Sequence, residues 1–78
     1  MTKVLNEVET KSILKQIDEG KLQSLLTEKE DNGNVCELYK IDDKYYVAVS
    51  YDWGWIGIVY ELDNSQITEI DGKLNMKY

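Results

Sequence analysis

The chain has 78 residues, one cysteine, nine lysines and fifteen acidic side chains, for a formal net charge of −6. That is one small domain, residues 1–78, which no internal disulfide can staple. It contains no arginine, histidine, proline or phenylalanine, so it lacks the side chain best suited to bidentate recognition of phosphate and guanine, and the net negative charge argues against direct nucleic-acid binding.

In chain order, "NEVETKSILKQIDEGK" reads as a helix. Asn6 is its N-cap, and Glu9 three residues later completes a capping box. Thr10, Ile13, Leu14 and Ile17 recur at helical spacing as one apolar stripe, and Gly20 suits the C′ position. Residues 21–26 fit a short second helix or the approach to a strand equally well, with a strand expected from about 27 to 30. Asn32-Gly33 then stands where a two-residue type I′ hairpin turn belongs. The rest reads as an antiparallel meander: "VCELYKI", a turn at Asp42-Asp43, "KYYVAVSYDW", "IGIVYELD", a turn at "NSQ", and "ITEID" closed by Asp71-Gly72. The tail "KLNMKY" has no clear assignment.

The register can be read from side-chain alternation. A type II′ turn at Gly54-Trp55 would pair Trp53 with Ile56, Tyr51 with Ile58, Val49 with Tyr60 and Val47 with Leu62, all on one apolar face. Through the Asp42-Asp43 turn, Cys36 joins Val49 and Leu38 joins Val47 on that face, which is expected to hold the helix. Tyr39 and Tyr46 then pair on the opposite face with Val59 and, through Asn32-Gly33, Leu26. The expected fold is α+β: an N-terminal helix on one face of a four- or five-stranded antiparallel β-meander, with the second face partly aromatic and not fully covered unless residues 21–26 or the tail "KLNMKY" fold over it.

This pattern directs attention to particular residues. Trp53, Tyr51 and Tyr60 are read as core. Trp55 at the turn apex and the Tyr39/Tyr46 pair are candidate contacts for a partner, since exposed tryptophan and tyrosine are favoured binding anchors. The carboxylates of Asp42, Asp43, Asp52, Glu61 and Asp63 gather at hairpin ends and on the outer face. They suit turns and solubility, and they also suit a surface aimed at a basic partner. Cys36 alternates into the buried face and is expected to be inert.

Catalysis is not expected. Cys–His and Ser–His nucleophiles are impossible without histidine, and no glycine-rich phosphate loop is present. No cofactor is called for. "DNGN" lacks the spacing and closing glutamate of a calcium loop, so no metal is expected either. The longest apolar run, Trp55 to Tyr60, is far below the roughly 20 residues that cross a bilayer. With no secretory pattern and no cysteine framework, a cytoplasmic setting is expected. Abundant Lys, Asn, Ile and Tyr without Arg, Pro or His is the residue usage of an AT-rich coding sequence, which points to a low-GC bacterium, its phage or another mobile element.

Together these features suggest a small acidic module that binds another protein through a basic surface on that partner. The profile, though no motif, is similar in kind to that of small anti-CRISPR proteins and uracil-DNA glycosylase inhibitors, and implies a phage or mobile-element inhibitor of a host nucleic-acid-handling or defence protein. An immunity or antitoxin protein, a homodimerising structural subunit, and a small-ligand binder using the tryptophan hairpin fit the same features.

Overall fold

The computed structural model describes residues 3–51 and 56–76. Its helix α1, Glu7–Asp18, is closed at both ends by local hydrogen bonds. The Asn6 side chain accepts from the Glu9 N–H at 2.8 Å, and the Glu9 carboxylate accepts from the Asn6 N–H at 3.4 Å. At the other end Gly20 adopts φ +73°. The Gly20 N–H then bonds the Ile17 carbonyl and the Lys21 N–H the Gln16 carbonyl, the paired bonds of a Schellman motif. Both expected caps are therefore present.

Five strands form one antiparallel sheet: β1 Lys3–Val4, β2 Leu26–Lys29, β3 Val35–Ile41, β4 Lys44–Ser50 and β5 Ile56–Leu62. Their order is β1-β5-β4-β3-β2, so the meander is extended at one edge by the N-terminal strand, which pairs Lys3 with Glu61 and Val4 with Tyr60. The α+β class is as expected. Residues 21–25 are neither helix nor strand; Leu22 packs on the helix-side core and Leu26 opens β2.

The central β3–β4 register is the expected one, with Cys36 opposite Val49, Leu38 opposite Val47 and Tyr39 opposite Tyr46. Two neighbouring registers differ. The β2–β3 loop has three residues rather than two: Gly33 takes φ +92°, its N–H bonds the Glu30 carbonyl, and the Glu30 N–H bonds the Asn34 carbonyl. One extra loop residue turns the whole of β2 over, so Leu26 stands opposite Leu38, not Tyr39. Between β4 and β5 the pairs are Val49 with Ile58 and Val47 with Tyr60, two residues away from the expected register. A two-residue shift preserves the faces, but a register break beyond Val49 pairs Ser50 with Ile56 and bulges the chain at Gly57. Ile56 thereby moves to the helix side. The proposed Gly54-Trp55 turn and Trp53 lie outside the described residues. Tyr51, expected in the core, is 37% exposed, and a Cβ on Gly57 would overlap its ring.

The helix lies on the face opposite to the one expected. Ile13, Leu14 and Ile17 pack with Tyr39, Ala48 and Val59. The other face, with Cys36, Leu38, Val47 and Val49, is covered by the expected strand "ITEI" together with residues of the tail that had no assignment. A 3-10 turn at Asn64–Gln66 leads into a separate hairpin of β6, Ile67–Ile70, and β7, Lys73–Met76. Asp71 and Gly72 both take positive φ, +52° and +78°, as a type I′ turn requires. Alternation points Ile67, Leu74 and Met76 at the sheet, and Met76 is buried there. The sheet is thus a middle layer, with the helix on one side and the β6–β7 hairpin on the other. Among the described residues, neither face of the sheet is left bare.

Candidate functional site: an acidic groove beside the helix

The reversal of faces redistributes the residues singled out from sequence. Tyr39 is 5% exposed, lies in the helix-side core, and donates its hydroxyl to the Glu37 carboxylate at 3.2 Å. Burial first, then the charge and hydrogen bond of Glu37, push its phenol up to about 12. Its ring is therefore not a solvent-facing contact, contrary to expectation. Asp43 lies on a different surface, where it lines a shallow depression with Lys40, Tyr45, Asn64 and Ile67. Lys40 sits 5.3 Å from the Tyr45 ring centroid there, a cation–π distance. Asp52 and Trp55 lie outside the described residues.

Tyr46, Asp42 and Glu61 do come together. Tyr46 pairs with Glu61 across β4 and β5, and Asp42 occupies the β3–β4 turn at φ +55°, a conformation aspartate tolerates better than most residues. Tyr46 forms part of a groove of about 370 Å³ between α1 and the end of β3 and β4, together with Leu5, Val8, Glu9, Ile13 and Ile41. The groove has an apolar floor. Val8, 78% exposed on the first turn of α1, stands at its rim.

The electrostatics at this end are one-sided. The Tyr46 phenol is raised above its ordinary value, by burial first and then by the carboxylates of Glu61, Glu9 and Asp42. Three elements, α1, the β3–β4 turn and β5, thus each place a carboxylate near one tyrosine. Lys44 partly offsets them, with its ammonium 3.7 Å from Glu61. Lys3, opposite Glu61 in the register, is a further base on this side. Glu61 thus shares its charge with Lys44, and Glu9 holds the long capping bond to Asn6.

Chemically, the groove offers an apolar floor, a protonated phenol and carboxylates at the rim. A neutral hydroxyl near carboxylates donates hydrogen bonds and does not act as a base at neutral pH. Such a site favours a ligand with an aliphatic body and a cationic end. Sequence reading missed Glu9, Val8 and Ile41 here. Glu9 was taken up by its capping role. Val8 carried one available signal: an apolar residue on the helix but off the Ile13/Leu14/Ile17 stripe.

Elsewhere, Cys36 is fully buried as expected, and its thiol donates to Glu30 at 3.1 Å. Among the described residues, no three or more His, Cys, Asp or Glu side chains are grouped to hold a metal, and no helix is long and apolar enough to cross a membrane. A comparison with protein-family models, with curated proteins and with solved structures finds no match for this chain. The arrangement itself defines an α+β protein whose sheet is covered on both faces and which carries, beside the helix, a largely apolar groove with the Glu9 carboxylate in its lining.

Proposed function

We propose that this chain is a non-catalytic protein-binding module, and that it acts as a phage or mobile-element inhibitor which occupies the basic, nucleic-acid-contacting surface of a host nucleic-acid-handling or defence protein. The convergence of Glu9, Asp42 and Glu61 on Tyr46, at an apolar groove open to solvent, is the observation that carries this reading. A formal charge of −6 supports it, because long-range attraction raises the rate of encounter with a basic partner. The lysine-only, AT-rich residue usage supports the mobile-element setting.

The test begins with retrieval of the partner from a candidate host on the immobilised protein. The purified partner is then offered labelled DNA or RNA with and without this chain. Mutually exclusive binding is expected, with affinity falling as salt rises from about 0.05 to 0.5 M. A stable ternary complex with nucleic acid, or an affinity indifferent to salt, would overturn the reading.

A further inference from the structure

The groove beside α1 has a shape and charge that select among basic side chains. Its floor of Leu5, Ile13 and Ile41, with Val8 at the rim, suits an aliphatic stem; Glu9 lines the groove where a charged head would emerge, and Asp42 follows the lining residue Ile41 in the β3–β4 turn. The Tyr46 ring lines the same groove, and a planar guanidinium stacks on such a ring while forking to a carboxylate; an ammonium does neither as well. The chain contains no arginine, so no internal guanidinium competes for the position. Lys44, on the neighbouring Glu61, is the internal cation nearest in kind.

We propose that this groove docks an arginine side chain from the protein partner, with its stem on Val8, Ile13 and Ile41 and its guanidinium between Tyr46 and the carboxylates of Glu9 and Asp42. The proposal rests on the protein-binding reading above and deepens it by naming the chemistry of the contact. Glu61 lies across β4 and β5 from Tyr46 and is left out of the clamp because Lys44, 3.7 Å away, partly offsets it.

The probe is a capped Gly-Arg-Gly peptide, titrated into isotopically labelled protein and followed by amide chemical shifts. Its citrulline and lysine analogues serve as controls. Shifts confined to residues 8–13, 41–46 and 61 are expected, with a dissociation constant of about a millimolar. The citrulline peptide, which keeps the shape and loses the charge, should not bind, and the lysine peptide should bind more weakly.

Two substitutions test the rim without disturbing the fold: Glu9→Gln, which keeps the capping box, and Asp42→Asn, which tolerates positive φ. Each should weaken binding about two- to fivefold. Lys44→Gln should tighten it. Asp18→Asn with Glu19→Gln, the charge change of the two rim substitutions combined but at the far end of the helix, should have no effect. Equal loss from the far-end pair would reduce the effect to net charge and overturn the site. Binding of citrulline as tight as arginine, or of lysine as tight as arginine, would overturn the guanidinium assignment. Groove shifts in a protein whose partner still holds nucleic acid support the arginine site while sinking the inhibitor reading. Absence of shifts overturns the arginine site even where the partner is displaced from nucleic acid.

Discussion

Tyr39 faces Tyr46 across β3 and β4, yet the two phenols live in different surroundings: one is sealed in the core beneath α1 and the other lines the open groove. The pair marks the boundary between what the helix covers and what it leaves accessible.

That difference should be visible at high pH. The Tyr39 phenol is raised from 10.0 to about 12, chiefly by burial. A folded value above the unfolded one means that its contribution to stability is intact below about pH 10 and is lost as pH rises from 10 to 12. Tyr46 is shifted in the same direction. Absorbance titration at the phenolate band should therefore show a late component that Tyr39→Phe removes, and the melting temperature of that variant should be less sensitive to pH in this window. A variant with an unchanged alkaline profile would contradict the burial assigned to Tyr39.

Local caps set the stability of α1. Asn6→Ala removes the acceptor for the Glu9 N–H and should cost about 1 kcal/mol in urea denaturation. Gly20→Ala should cost a similar amount, about 1 kcal/mol, although nothing stands near its Cβ position. Its cost is conformational, because alanine must be held at φ +73°.

Gly57 should behave oppositely, failing through contact. Any Cβ there meets the Tyr51 ring, so Gly57→Ala must displace that ring from the bulge. In a double-mutant cycle, Tyr51→Ala should relieve much of the cost of Gly57→Ala, with a coupling above about 0.5 kcal/mol. Additive effects would mean that the ring and the bulge are energetically independent.

The β6–β7 hairpin should be essential to the fold. Met76 is buried against the hairpin-side core, and Met76→Ala should cost about 2–5 kcal/mol and raise the binding of a hydrophobic dye. Val8→Ala, at an exposed rim position, should stay within about 0.5 kcal/mol. Comparable losses at both positions would break the distinction between a covering layer and an open groove.

The helix and the β3–β4 register were legible in the sequence because each rests on local chemistry. Asn6, Glu9 and Gly20 specify their own helix ends, and a two-residue turn at Asp42-Asp43 fixes every pair along β3 and β4. The choice of face was not legible. Val47 and Val49 on one side, and Tyr39, Ala48 and Val59 on the other, are both apolar, so alternation alone cannot say which side receives the helix. One extra residue at Asn32-Gly33 and one bulged residue at Gly57 then inverted Leu26 and Ile56. Asp71-Gly72 was read as the end of a strand when it is the apex of a hairpin, and with it went the layer that covers the second face. Part of the candidate site could be read, since Asp42, Tyr46 and Glu61 were named and do converge. Glu9 and Val8 join them only because the helix lies on the tyrosine side.

The two-residue strand β1 has a consequence for how the molecule assembles. Lys3 and Val4 are made early, but their partners Glu61 and Tyr60 emerge only after most of the chain. Leu5 follows the same rule, with its N–H held by the Val59 carbonyl at 3.2 Å. The helix can form from its own caps at once, yet its tether to the sheet must wait for β5, a long loop closure of the kind that slows folding. The N-terminal segment is a clasp: it fastens late, and ties the helix to the sheet only when β5 is in place.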